Sequence, residues 1–194
     1  MVYSFKFLRQ LVSVIRYPKL FLFAKRMGKN NRLGPGGRFF HHREIYLGDD
    51  IYIAPGFHIS ARNLKIGNGI LIGPNLLLEC DDHVFREVGK TIWSTRNERN
   101  IGSVTIEDDV WIGGNVTILK NAFISEGCIV GACSLVNRYL PPYTICLGTP
   151  CKPYRPRFSR DELKQHLSSV KSKYTFDGIC DEWAKYGLNT EQIK

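Results

Sequence analysis

A chain of 194 residues, 43% hydrophobic and 23% charged, has enough apolar content to bury a core within one domain. It contains no run of about 18 uncharged apolar residues, which excludes a membrane-spanning helix, and no small-residue cleavage site follows its first apolar stretches, so secretion is not expected. Cys80, Cys128, Cys133, Cys146, Cys151 and Cys180 show neither Cys-X-X-Cys pairs nor zinc-finger spacing; they are expected to be reduced, mostly buried small residues.

The formal net charge of +9 is concentrated at one end. Residues 1–32 hold eight Lys or Arg and no Asp or Glu, which leaves the remainder near neutral. Phe5, Leu8, Leu11, Val12, Ile15, Leu20, Leu22 and Phe23 interleave with those cations. The pattern suits a basic amphipathic segment, residues 1–38, resting on an anionic membrane surface. It suits equally a helix that caps the end of the domain or packs on a neighbouring subunit. A nucleic-acid partner is not expected, because the charge is confined to the terminus and no reader motif accompanies it.

A ladder of aliphatic residues follows. Leu47, Ile53 and Ile59 recur at every sixth position, and after one extra residue so do Ile66, Ile72 and Leu78, with Ile51, Phe57, Ile70 and Leu76 as a second series. The ladder resumes without a break as Ile106, Ile112, Ile118, Ile124, Val130 and Val136, with Val110, Val116, Ala122, Cys128 and Ser134 four residues after each of the first five. Two inward residues spaced by two lie on one face of a strand, so each pair such as Val110 and Ile112 marks a very short strand. The triplets between them, such as Glu107-Asp108-Asp109 and Gly113-Gly114-Asn115, are polar or Gly-rich turns. Short strands joined by tight turns of constant length bury a core only when stacked as a solenoid. The fold class is an all-β solenoid, a parallel β-helix over residues 39–152; at three rungs to a triangular coil, its twelve rungs give about four or more coils. An α-helical alternative fails, because a period of 3.6 is absent and Gly is frequent within the segments.

From Leu78 to Ile106 the spacing is 28 where the repeat requires 6, so 22 residues are inserted as a protruding loop, 79–105. Long excursions from a rigid repeat usually carry function. His83 lies in this one among Glu79, Asp81 and Asp82, and an imidazole can accept a hydroxyl proton near neutral pH and pass it to a leaving group. A His beside acidic residues is also, more simply, a solvated polar side chain. His41, His42, His58 and His166 are read as structural. No His lies between residues 84 and 165 to complete a three-His zinc site, so no metal is expected.

Two stretches carry a family resemblance. Ile106-Glu-Asp-Asp-Val-Trp-Ile-Gly-Gly-Asn115 with Val130-Gly-Ala-Cys-Ser134, and the closing segment Val136-Asn-Arg-Tyr-Leu-Pro-Pro-Tyr143 through Gly148-Thr-Pro-Cys-Lys-Pro-Tyr-Arg155, resemble hexapeptide-repeat acyltransferases over residues 40–155. The resemblance implies left-handed coils, homotrimers with active sites between subunits, and acetyl-CoA as co-substrate. In sugar O-acetyltransferases of the galactoside and maltose type, the catalytic His follows a Pro-Asn hexapeptide and precedes Val-Trp-Ile-Gly. Here Gly73-Pro74-Asn75, His83 and Val110-Trp111-Ile112-Gly113 keep that order. The resemblance thus implies His83 as general base, Gly114 and Ala132 as backbone contacts of the coenzyme, and Arg138, Lys152 and Arg155 at its phosphate or adenine end. Asp82-His83-Val84 departs from the His-Pro or Asp-His-X-His wording of many relatives.

The chain ends in an extension, 153–194, in which Ser159-Arg-Asp-Glu162 reads as a capping box and Leu163, Leu167, Val170 and Tyr174 recur at helical spacing. The function expected from the resemblance is acetyl transfer to a hydroxyl of a sugar or glycan. With the basic N-terminus, that suits surface-polysaccharide assembly in the cytoplasm or at the cytoplasmic membrane face. The alternatives are N-acetylation of an amino sugar or antibiotic, and a non-catalytic trimeric scaffold.

Overall fold

The computed structural model describes residues 10–188. Its strands are two to five residues long and run in coils. The first coil is β1 (Arg26–Met27), β2 (Arg32–Leu33) and β3 (Arg38–Phe40); the second is β4 (Ile45–Leu47), β5 (Tyr52–Ile53) and β6 (His58–Ser60); the third is β7 (Leu64–Ile66), β8 (Leu71–Ile72) and β9 (Leu77–Glu79). A hairpin, β10 (Asp81–His83) with β11 (Arg99–Ile101), then departs from the stack. The fourth coil is β12 (Val104–Ile106), β13 (Trp111–Ile112) and β14 (Thr117–Ile118), and the fifth is β15 (Phe123–Ile124), β16 (Ile129–Val130) and β17 (Leu135–Val136). A sixth, β18 (Tyr139–Leu140) and β19 (Thr144–Leu147), is closed by β20 (Lys152–Pro156), which turns back antiparallel on β19.

Corresponding strands pair in parallel and make three faces, β1-β4-β7-β12-β15-β18, β2-β5-β8-β13-β16-β19 and β3-β6-β9-β14-β17. The structure is a triangular solenoid of about six turns, in keeping with the four or more expected. Every aliphatic rung from Leu47 to Val136 is at most 1% exposed. Full burial of each such side chain stabilises by about 1.5–3 kcal/mol, so the stacked interior is the main source of stability.

The first coil lies inside the segment that the sequence set apart as 1–38. Met27, Leu33 and Phe39 continue the six-residue spacing, and Leu33 and Phe39 are buried. Its second inward series is not aliphatic. Asn31 is fully buried, accepts the Ile51 N–H at 2.9 Å and donates to the carbonyls of Gly28 and Gly48 at 3.1 and 2.9 Å, while Gly37 leaves room for the Phe57 ring. The repeat also shortens along the axis. Paired positions are 20 residues apart between Arg26 and Tyr46, 19 between Tyr46 and Lys65, 18 between Thr105 and Phe123 and 16 between Phe123 and Tyr139. The one extra residue noticed after Ile59 is absorbed at the corner before β7, where Asn63 adopts φ 53°.

Both ends are covered. Residues 10–16 and α1 (Pro18–Phe23) are helical and lie across the first coil. Leu20 is fully buried against the core, Ser13 Oγ accepts the Leu33 N–H at 2.9 Å, Arg16 donates to the Leu33 carbonyl at 2.9 Å, and the Tyr17 hydroxyl donates to the Gly34 carbonyl and accepts the Gly37 N–H at 3.1 Å. These contacts cover the first coil and satisfy polar backbone groups of its otherwise open end. At the other end, Ser159 and Glu162 form the expected capping box on α2 (Arg160–Val170), and a second helix, α3 (Phe176–Lys185), follows. Leu163, Ile179 and Trp183 pack with Tyr143 into a separate small core. Tyr174 lies beyond α2, since Lys171 ends that helix at φ 55°, and its hydroxyl donates to Glu107 at 2.7 Å. Among the described residues no helix is long and apolar enough to cross a membrane.

Candidate active site

The insertion does not disturb the ladder. Coils three and four pair in register as though it were absent: Leu64 with Val104, Leu71 with Trp111 and Leu77 with Thr117. Antiparallel pairing within the insertion brings His83 opposite Arg99, 16 residues later. An Arg99 guanidinium N–H donates to His83 Nδ1 at 2.8 Å. A guanidinium has no acceptor, so Nδ1 presents its lone pair and Nε2 of the neutral ring carries the hydrogen. Arg99 is itself fixed by the carbonyls of Arg96 and Glu98 and by Asp81, whose carboxylate lies 3.7 Å from its Nε.

The carboxylates near His83 therefore have separate partners. Asp81 is set between Arg99 and Arg62 (3.9 Å), Asp82 pairs with Lys120, and Glu79 lies 3.4 Å from His58 Nε2. Only Asp81 reaches His83, and it does so through Arg99. The loop is pinned from within by Thr95, which is buried and donates to the carbonyls of Val84 (2.8 Å) and Ile92 (3.2 Å). Beside the imidazole is an open cavity of ≈ 330 Å³ lined by His83, Val84, Phe85, Arg86, Arg99 and Asn100. No sequence signal singles out Arg99, because its proximity depends on hairpin register.

Gly114 and Ala132 occupy a different edge, the corner between the second and third faces. In successive coils that corner reads Gly34-Pro35-Gly36, Ala54-Pro55-Gly56, Gly73-Pro74-Asn75, Gly113-Gly114-Asn115 and Gly131-Ala132-Cys133. The third residue of each has positive φ, from 55° to 83°. Stacking is close: a Cβ on Gly113 would fall 2.6 Å from the Ala132 nitrogen, and one on Gly73 2.6 Å from the Gly114 nitrogen. In the first three coils the middle residue is Pro, which has no N–H; from the fourth coil onward it is Gly114 and then Ala132, each bringing an amide donor to a side-chain-poor edge. This edge begins where the His83 insertion ends. Pro74 and Asp81 are joined by β9, a span of roughly 20 Å at ~3.3 Å per residue, so the two features sit on different edges of one chain.

Lys152 and Arg155 lie on β20, paired with Leu147 and Ile145 of the last coil. Arg138 follows β17, and the N–H of Cys151 donates to the Leu135 carbonyl of that strand at 2.7 Å, which draws the start of β20 toward it. The three cations thus gather at the C-terminal end of the solenoid. Burial pushes the Cys151 thiol up to about 11 and the Cys80 thiol up to about 12, so neither is a nucleophile near neutral pH. Among the described residues no group of three His, Cys, Asp or Glu is placed to hold a metal ion.

A six-turn parallel solenoid with a His-bearing insertion at one corner and a donor-lined edge at another defines the class of the protein as a hexapeptide-repeat β-helix. No family model matches the chain. It is 29% identical over 140 residues, 70% of its own length and 66% of the relative's, to the galactoside O-acetyltransferase of Escherichia coli K12. The chain spans about half to two thirds of the length of the galactoside O-acetyltransferases it matches. A hexapeptide-repeat acetyltransferase of Vibrio cholerae solved with acetyl-coenzyme A superposes with a TM-score of 0.67 at 28% identity, covering 76% of this chain and 79% of that one. A maltose O-acetyltransferase of Clostridium difficile gives 0.63 at 25% identity, covering 72% and 73%. These likenesses show that the chain shares the β-helix fold of the hexapeptide-repeat acetyltransferases it resembles.

Proposed function

We propose that the chain transfers an acetyl group from acetyl-CoA to a hydroxyl of a sugar or glycan, with His83 as general base. The observation that carries the reading is His83 itself, held by the insertion in the lining of a ≈ 330 Å³ cavity with the lone pair of Nδ1 directed at the Arg99 guanidinium. The relative named galactoside O-acetyltransferase and the fold neighbour solved with acetyl-coenzyme A support the same chemistry.

In the proposed step the acceptor hydroxyl replaces Arg99 at the imidazole, and Asp81, already beside the Arg99 guanidinium, retains it. The hydroxyl oxygen forms a bond to the thioester carbonyl carbon, the C–S bond breaks, and the proton passes through His83 to the coenzyme thiolate, giving an acetyl ester and free CoA. The Gly114 N–H stabilises the oxyanion. Gly114 and Ala132 hold the pantetheine arm by backbone contacts, and Arg138, Lys152 and Arg155 meet the phosphates, which suit a fixed cluster of cations.

The site is completed by homotrimer formation, which brings the His83 corner of one subunit to the donor-lined edge of the next. An outward stripe on the second face, Tyr52, Leu71, Trp111 and Ile129 in adjacent coils, supports this assembly; Leu71 and Trp111 are 53% and 54% exposed on the single chain. The N-terminal helices leave Ile15, Leu22 and Phe23 exposed beside Arg16, Lys19 and Lys25, a surface that suits peripheral contact with an anionic membrane and an enzyme of surface-polysaccharide assembly at the cytoplasmic face. Thiol release from acetyl-CoA in the presence of a panel of sugars tests the reading: acceptor-dependent release supports it, and none with any sugar, amino sugar or drug overturns it.

A further inference from the structure

The cavity beside His83 carries a charge that the acetyl-transfer chemistry does not use. Nearly every ionic side chain of the insertion is committed: Glu87 to Lys90 at 2.5 Å, Asp82 to Lys120, Asp81 to Arg99 and Arg62, and Arg96 to the face of Trp93 at 4.5 Å. Arg99 stays bound to two carbonyls and to Asp81 when the acceptor takes its place at His83. Arg86 lines the same cavity, is exposed, and has no carboxylate partner among the described residues. In the same lining, Phe85 is 62% exposed and offers an apolar face of the kind that packs against the C–H face of a pyranose, while the Asn100 amide can both donate to and accept from ring hydroxyls.

A neutral acceptor offers the Arg86 guanidinium hydroxyl oxygens but no charge to match its own. An anionic one would pair with it through two parallel N–H donors, the geometry in which a guanidinium matches a carboxylate or a phosphate. We propose that the acceptor is a sugar bearing a negative charge, a carboxylate or phosphate, and that Arg86 is the residue that selects it. The proposal rests on the acetyl-transfer reading for the identity of the reaction, and on the cavity's charge and lining for the class of acceptor.

The test uses the full chain with matched acceptors: methyl glucoside, methyl glucuronide and glucose 1-phosphate. Thiol release and, independently of turnover, calorimetric titration of each acceptor are measured for the wild type, Arg86→Gln and Arg86→Lys, with thermal melting to confirm folding. The expected result is a preference of tenfold or more for one charged acceptor over the glucoside in both kcat/KM and affinity. Arg86→Gln should abolish that preference and Arg86→Lys should retain part of it. The glucuronide and the phosphate distinguish the two sources of charge. Equal use and equal binding of charged and neutral acceptors, or a preference that survives in Arg86→Gln, overturns the proposal. Absence of thiol release with charge-selective, Arg86-dependent binding intact overturns the acetyl-transfer reading and leaves the acceptor assignment supported by the binding arm.

Discussion

Replacing His83 with Asn removes the proposed proton acceptor while leaving Arg99 an acceptor for its hydrogen bond. The Asn Oδ1 takes a position close to that of imidazole Nδ1, so Arg99 keeps an acceptor where it now has one at 2.8 Å. An amide oxygen does not take a hydroxyl proton near neutral pH. Loss of general-base catalysis typically lowers turnover by about 10²–10⁴-fold, which at 1.36 kcal/mol per tenfold is roughly 2.7–5.4 kcal/mol of transition-state stabilisation. His83 is exposed, so the same change should alter folding stability by no more than about 0.5 kcal/mol, a shift of about 1–2 °C in Tm for a chain of this size. The assay is thiol release at saturating acetyl-CoA, with coenzyme affinity and Tm measured in parallel. His83→Ala, which removes the Arg99 acceptor as well, separates base loss from loop loosening: Asn and Ala should be equally inactive, with Ala the less stable. Turnover in His83→Asn within tenfold of wild type, with coenzyme affinity unchanged, would refute the assignment of His83 as base.

Gly113→Ala should destabilise the solenoid by about 1–3 kcal/mol, seen as a lower urea midpoint, because its Cβ meets Ala132 backbone at 2.6 Å and 2.8 Å; Gly131→Ala, which meets only the Leu147 Cβ at 3.0 Å, should cost less. Trp111→Asp places a charge in the centre of the outward stripe and should convert the proposed trimer to monomers in sedimentation velocity at micromolar concentration, whereas an unchanged oligomer would remove that face from the interface. The chain should co-sediment with anionic vesicles, weakly with neutral ones and less as salt rises, and Ile15→Asp combined with Leu22→Asp should abolish the binding; full retention in that double variant would place the membrane contact elsewhere.

The solenoid was legible in the sequence wherever inward positions are aliphatic on both series. It was not legible in the first coil, where the second inward series is Asn31 and Gly37 and the corner from Phe39 to Leu47 spans eight positions. The spacing of Met27, Leu33 and Phe39 was the available signal, hidden because the surrounding cations drew attention to a terminal segment. The interruption of the ladder located His83. Its partner was beyond sequence reasoning, because Glu79, Asp81 and Asp82 are equally near it in the chain and pairing in space sends each to a different cation. Similarly, α2 was legible from its capping box, whereas its end at Lys171 depends on one residue in a left-handed conformation.

The insertion leaves the stack and returns through a narrow neck, where the Gly102 N–H donates to the Cys80 carbonyl at 2.9 Å and the Cys80 N–H donates to the Ser60 carbonyl at 3.1 Å. Coils three and four pair in continuous register around the insertion, which is tied to them by the ion pairs of Asp82 with Lys120 and Asp81 with Arg62. The register of the framework therefore does not depend on the loop's length. A different loop whose ends meet at Cys80 and Gly102 adds an entropic cost that rises slowly, about 0.6 kcal/mol for each doubling of its length, so the coils tolerate a change of loop without a change of fold.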